Sequence, residues 1–478
     1  MSLDYTSKTC SNDLPDASWI ANELARMKTA YDSAQTYYSL RLEASSTGNS
    51  EDYLRVDSCK VPAASTLVAV KAICTAITAD PNVTIYDEEL TTPATMLDAD
   101  IDIAATTNVD GVFAAGAVLE RAAGDVISLR SKNGVGDDAT NVSVILTFKT
   151  VVLNSSAAAF SHTAGLCSGD YPDADWLNDE LADIAASYDN PLHYIILKGG
   201  HSDMDPGTGA TDTDYDSVVC PVAGEVVAIY AVAGEVAVTN DLELNVKNGS
   251  DDLCSANMKF AAVNTFLTGT LDSDHTTVAE DDVLTIYANA PDDNEEAQNV
   301  SVYIVMRGEP INSSGGALAY SNPTLGSGAN ISDAWNDEMS AIASAYDSAD
   351  GIVIMDLRQE SVGAGAVATT IQDVCTVPCD CTLEKVYFIA NAEAGSVDGT
   401  ADLYDEELTT PATLLDAVKT IAAAKTAYKQ ADFATGADLA RSAGDVLSLR
   451  VTTNAGDGSL TNIHAIVVAK AKVLNSTE

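Results

Sequence analysis

Basic residues are scarce in this chain. Only 24 Lys and Arg stand against 71 Asp and Glu, a formal net charge of −47 at pH 7. A nucleic-acid backbone needs a partner of the opposite sign, so direct binding of DNA or RNA is excluded. Docking onto an anionic membrane is disfavoured for the same reason. Aromatic residues are few as well, with 7 Phe, 18 Tyr and 3 Trp in 478 residues. No run approaches the roughly 18 apolar residues of a membrane-crossing helix. The opening MSLDYTSKTCSNDLPD carries neither the basic nor the apolar segment of a secretory signal, so none is expected. Cysteine is sparse and odd in number: Cys10, Cys59, Cys74, Cys167, Cys220, Cys254, Cys375, Cys379 and Cys381. A disulfide framework is therefore not expected.

What is present is a globular composition, 46% apolar and 20% charged, over a length that suggests about three domains. Ala, Val, Thr, Asp and Gly dominate, which suits thin β cores closed by many polar turns. The acid is spread along the whole chain and predicts a solvated, self-repelling surface that salt or calcium would screen.

Internal repetition organises the rest. PDASWIANELARMKTAYD at 15–32 recurs as PDADWLNDELADIAASYD at 172–189 and as ISDAWNDEMSAIASAYD at 331–347. CKVPAASTLVAVKA at 59–72 matches CTVPCDCTLEKVYF at 375–388 and, more loosely, VVCPVAGEVVAIYA at 218–231. YDEELTTPAT is identical at 86–95 and 404–413, and AAGDVISLR at 122–130 answers SAGDVLSLR at 442–450 and AEDDVLTIY at 279–287. LNSS, INSS and LNST close the copies, so the boundaries fall near Ser156 and Ser314 and the expected domains are 1–156, 157–314 and 315–478. Copies one and three are the closer pair.

Each copy is expected to open with one amphipathic helix, N-capped by Asp16, Asp173 or Ser332. Its apolar stripe is Trp19, Leu24, Met27 and Tyr31 in the first copy and Trp176, Leu181, Ile184 and Tyr188 in the second. In the third it is Trp335, Met339, Ile342 and Tyr346. The stripe reads as a buried seat on a sheet rather than a sugar-stacking platform. The period then changes to two, as in YYSLRLE at 37–43, HYIILK at 193–198, IVIMDLR at 352–358, DVISLRS at 125–131 and NVSVILTF at 141–148. About eight short strands per copy, with frequent Asn-Gly and Asp-Gly turns, predict a mainly β fold: three tandem antiparallel, jelly-roll-like sandwiches. The Ala-rich stretch 417–432 is the one segment that also reads as helix.

Candidate chemistry is thin. Asp98, Asp100 and Asp102 alternate and would share one strand face, a possible structural calcium site. The alternative is a solvated acidic face, favoured because the third copy reads DAVKT there and no loop glycine follows. His201, Asp203 and Asp205 lie in HSDMDPGTGATDTD, present in the second copy alone, which reads as a surface loop more than a metal site. Cys375, Cys379 and Cys381 lack the fourth ligand of structural zinc and read as small buried or turn residues. His162, His193, His201, His275 and His464 fall in no nucleophile or triad motif, and no phosphate-cradling loop is present. No catalytic residue, cofactor or enzymatic activity is expected, although 71 acids leave paired carboxylates open.

One pattern has a familiar look: V-P-x-x-x-x-L/V-x-x-V at 61–70, Gly-Asp-Val-Ile-Ser-Leu at 124–129 and Asn-Val-Ser-Val-Ile-Leu at 141–146, repeated at 377–386, 444–449 and 462–468. It resembles the β-sandwich domains of tailed-phage virion proteins. The resemblance implies a decoration, cement or head-fibre protein that binds the major capsid protein or another virion protein and carries no catalytic residue. It would be made in the host cytoplasm and sit outside on the virion surface. A homotrimer with domains stacked along its axis is the first expectation for assembly, an intrachain pseudo-trimer the second. A cell-surface adhesin or extracellular filament subunit and a carbohydrate-binding module are the rival classes. The first would favour an anchor signal and the second exposed Trp or Tyr on strands.

Overall fold

The computed structural model describes residues 35–154, 191–308 and 350–472, apart from short stretches inside each. All three expected helices, with the Trp, Leu, Met, Ile and Tyr stripes on them, lie outside the described residues. So do the boundaries near Ser156 and Ser314. Every described segment of regular structure is a β-strand, and every ladder is antiparallel.

Each of the three stretches forms two sheets with one connectivity. Numbering the eight principal strands of a unit in chain order, one sheet runs first–eighth–third–sixth and the other second–seventh–fourth–fifth. This is the strand order of a jelly roll. In the first unit the larger sheet is Gln35–Ser46, Asp138–Val151, Ser65–Ile73 and Val109–Asp110. The smaller is Leu54–Lys60, Val126–Ser131, Asn82–Asp87 and Ala94–Thr95. The second unit opens with Pro191–Met204 and the third with Asp350–Val362, each paired with its unit's last strand, Ala297–Gly308 or Leu460–Lys472.

The period-two runs explain these sheets. In Gln35–Ser46, Tyr38, Leu40, Leu42 and Ala44 are buried, and they meet Val144, Leu146 and Phe148 of the neighbouring strand. Tyr38 stacks on Phe148 at 5.0 Å. The cores are otherwise aliphatic, which is how a chain poor in aromatics fills narrow sandwiches.

Three expectations are corrected. The Ala-rich stretch 417–432 contributes strands Lys419–Ala422 and Lys429–Ala431, because its residues pair with Asp398–Ala401 and with Val386–Phe388. The excursion HSDMDPGTGATDTD is only partly a loop: His201–Met204 continue the opening strand, and Thr213–Val219 is the next strand. Leu153–Asn154, counted with the first copy, pair with Leu192 and Pro191 of the second unit.

The units are not strung out along a line. Their opening strands Gln35–Ser46, Pro191–Met204 and Asp350–Val362 all touch one another, so each unit meets both others around a common centre.

Candidate functional site

On a strand whose alternate residues enter the core, the residues between face outward. In the opening strands those outward residues meet the neighbouring units instead of water. Ladder register matches the positions: Arg41 lies opposite Ile145, Lys198 opposite Tyr303, and Asp356 opposite Ile466. Two residues on, Glu43, Gly200 and Arg358 lie opposite Ser143, Ser301 and His464.

A carboxylate completes each position. Asp57, Asp216 and Asp373 all follow a register shift in the second strand of their unit. A bulge of this kind re-aims the next side chain. Each turns back onto its own opening strand: Asp57 accepts the Glu43 N–H at 2.7 Å, Asp216 the Gly200 N–H at 2.8 Å, and Asp373 the Arg358 N–H at 2.6 Å.

The shortest ion pairs from cations to these three aspartates then cross between units in one direction. Arg41 of the first unit binds Asp373 of the third at 2.5 Å. Lys198 of the second binds Asp57 of the first at 2.8 Å. His464 of the third binds Asp216 of the second at 3.1 Å, with Arg358 at 3.6 Å. The circuit is closed. Backbone carbonyls follow the same direction: Arg41 donates to Asp356 O, Lys198 to Arg41 O and Arg358 to Gly200 O. Asn141 and Asn462, both left-handed at φ 49 and 45, donate to the carbonyls of the bulged residues Gln372 and Tyr215. Asn tolerates that backbone conformation better than most residues.

Glu43 is the hub, reached by Arg41 and Lys198 at 3.1 Å each and by Arg358 at 3.8 Å. Burial works to raise its carboxyl, but Lys198, Arg41 and Arg358 outweigh it and hold the group well below the usual range. The same contest leaves Asp216 low, through His464 and Arg358. Burial opposes charge on the fully enclosed His464, yet Asp216 and Asp356 raise it to about 10, so it is an imidazolium at neutral pH. Asp373 goes the other way: burial lifts it to about 6 despite Arg41. Five carboxylates (Glu43, Asp57, Asp216, Asp356, Asp373) face four cations (Arg41, Lys198, Arg358, His464), and Glu43 adds to the upward push on Asp373. A cavity of about 30 Å³ beside Arg41, Lys198, Tyr303 and Asp356 has room for an ordered water. With its cations held against carboxylates, the cluster is suited to locking three bodies together.

The residues singled out from sequence lie elsewhere. Asp98 and Asp100 are outside strands and only Asp102 is in one, so the three do not share a strand face. Among the described residues no three His, Cys, Asp or Glu gather as a metal-binding group. His201 Nδ1 lies 2.6 Å from the Asp203 carbonyl, and Asp205 accepts the Gly207 N–H, so that trio closes its own turn. Cys375, Cys379 and Cys381 are buried and unpaired. Burial pushes all three thiols up, Cys381 to about 12. Sequence reasoning missed the ring because a basic residue that alternates with apolar ones, as Arg41 does between Leu40 and Leu42, reads as solvent-facing. The available signal was the recurrence of Arg41, Lys198 and Arg358 in the three opening strands of a chain so poor in cations.

Comparison with family models and with curated proteins finds no match. Among solved structures, the chain is similar to the STIV MCP at 9% identity, over 59% of this chain and 97% of that one, with a TM-score of 0.23. It is similar to a structure described as the triple jelly roll fold and turret assembly in an archaeal virus, over 91% of each chain at 9% identity and a TM-score of 0.13. Vicilin from hazelnut, Corylus avellana, aligns over 58% of this chain and 74% of its own at 8% identity and a TM-score of 0.13. All three scores are far below those of chains that share one overall fold.

Proposed function

We propose that this chain is a structural protein of a virus particle, a capsid decoration or head-fibre subunit that acts by binding the major capsid protein or another virion protein. The observation that carries this reading is the closed ring of three like units within one chain. Capsid lattices present threefold and quasi-threefold positions, usually met by three identical subunits. A chain with three equivalent faces meets such a position alone, as an intrachain pseudo-trimer. The ion pairs strengthen the case through charge. Arg41, Lys198 and Arg358 are drawn to the centre, and Arg121 and Arg441 are buried inside units. The outer surface is left with a larger excess of acid, which limits aggregation of particles. The ring of sandwiches, with its long opening strands set against one another, supplies a rigid body for such a role.

Two measurements test it. Native mass spectrometry of the purified protein should give a single chain of 49.7 kDa. Three times that mass would support a homotrimer instead. Immunogold labelling of the source culture should decorate virus particles. Label confined to cell surfaces would sink the virion reading in favour of an adhesin.

A further inference from the structure

The three junctions of the ring are built differently. The second unit meets the first with Ile196, Tyr230 and Phe266, and with Tyr303 buried in the first unit's core. The third meets the second with Ile354, Val468 and Tyr387, and Ile352, Tyr387, Ile389, Ile466 and Val468 merge into the second unit's core. At the matching positions the first unit offers the third Ser39, Thr147 and Lys71. Among the described residues, apolar contact across this third junction comes from Tyr37, from Ile145, which lines the central cavity with Ile354, and from a small cluster of Ile73, Val374, Val446 and Ile371. The substitution of small and polar groups leaves a cleft of about 1130 Å³ between the first and third units. Polar bonds close the junction: Arg41 to Asp373, Ser39 Oγ to Ile354 O at 3.2 Å, Asn141 Nδ2 to Gln372 O at 3.2 Å, and Thr376 Oγ1 to Asn108 at 3.2 Å.

This is also the junction between units that are not consecutive in the chain. We infer that the ring is a clasp, opening and closing between the first and third units while the other two junctions stay shut. Apolar burial must be lost in full before a joint parts, whereas polar bonds are replaced by water as it does. The least apolar joint is therefore the one that opens at the lowest free energy. Opening there leaves both other joints and all three cores intact.

The chain carries its own reporters. Cys59 and Cys375 occupy matching positions two residues after Asp57 and Asp373, and both are unpaired and almost fully enclosed. Cys59 belongs to the first unit's core and lies beside Lys198 and Asp57 at a shut junction. Cys375, though part of the third unit's core, also lines the central cavity with Ser39, Arg41 and Ile145 of the first unit, so parting of the clasp uncovers it. Maleimide labelling of the full native chain, read by peptide mass spectrometry, should modify Cys375 about tenfold faster than Cys59. The double substitution Ser39→Ile with Thr147→Val, which copies the second unit's residues, should slow Cys375 towards the Cys59 rate and leave Cys59 unchanged. Arg41→Met should accelerate Cys375 alone, and it stands in if the filled variant loses its β circular dichroism. Equal rates for the two thiols in the wild-type chain, or a Cys375 rate indifferent to these changes, would overturn the inference.

Discussion

The outer units and the middle one close the same sandwich in different ways. In the first, Arg121 is buried against Asp87 at 2.7 Å, and in the third Arg441 against Asp405 at 2.8 Å. Each Arg also donates to a carbonyl three residues back, Val118 or Asp438. In the middle unit the ladder positions of these pairs hold Asn248 and Val278. Asn248 turns to Asp282 at 2.8 Å, and Val278 simply joins the core. One fold thus accepts either a buried ion pair or an amide with an aliphatic. Such pairs roughly break even against well-packed apolar residues, but each is costly to break from one side.

That contrast can be broken directly. Arg121→Met leaves Asp87 buried without its cation and should cost about 3–5 kcal/mol. The double change Arg121→Val with Asp87→Asn installs the middle unit's solution and should recover most of the loss. Urea midpoints of the three proteins decide it. A double variant as weak as the single would mean that the two solutions are not interchangeable.

The centre of the ring gives a second contrast, this time in pH. His464 occupies the position that is Ser143 in the first unit and Ser301 in the second, so the third unit alone brings a titrating group there. Its pKa in the fold is about 10 against the ordinary 6.5 of a histidine. The stability it contributes is full below 6.5 and is lost as pH rises through 10, roughly 2–3 kcal/mol once coupling within the cluster is allowed for. Asp373 has the opposite effect: protonating near 6 in the fold but near 3.8 unfolded, it makes stability rise as pH falls through that window. Melting temperatures between pH 6.5 and 10 should therefore fall, and His464→Gln should flatten the slope. An unchanged slope would show that the imidazolium is not what holds the third unit to the second.

The strands of each sandwich were readable because Leu40, Leu42, Val144 and Leu146 enter the core at the alternation their sequence shows. The identity of YDEELTTPAT in copies one and three also has a physical basis. Tyr86 and Tyr404 carry stacked arginines, Asp87 and Asp405 bind the buried ones, and Glu88 and Glu406 receive Arg130 and Arg450. Glu89 and Glu407 accept the Val126 and Val446 N–H groups. What alternation does not reveal is whether an outward face meets water or another unit. Arg41 and Lys198 have the local pattern of solvated residues and are enclosed only because three copies close a circle. Asp57, Asp216 and Asp373 depend on bulges, which a period of two does not mark.

The smallest expected effect sharpens the comparison of units furthest. Arg130 lies over Tyr86 at 4.2 Å and Arg450 over Tyr404 at 4.0 Å, whereas in the middle unit Lys247 lies over Tyr287 at 5.0 Å. By register the middle pair is inverted, since Lys247 stands where Tyr86 and Tyr404 stand and Tyr287 where the arginines do. A planar guanidinium stacks on a ring face, while an ammonium approaches as a hydrated point charge. Lys247 is also drawn aside by Asp214 at 2.7 Å, and the Tyr287 hydroxyl by Asp252 at 2.7 Å. Double-mutant cycles, with Ala or Met for the cation and Leu for the tyrosine, should give a coupling of about 0.5–1 kcal/mol for Arg130 with Tyr86 and for Arg450 with Tyr404. Lys247 with Tyr287 should fall below both. A middle-unit coupling equal to the outer two would mean that distance and guanidinium stacking do not set the strength of this contact. The inversion would then be a neutral exchange of partners across the ladder.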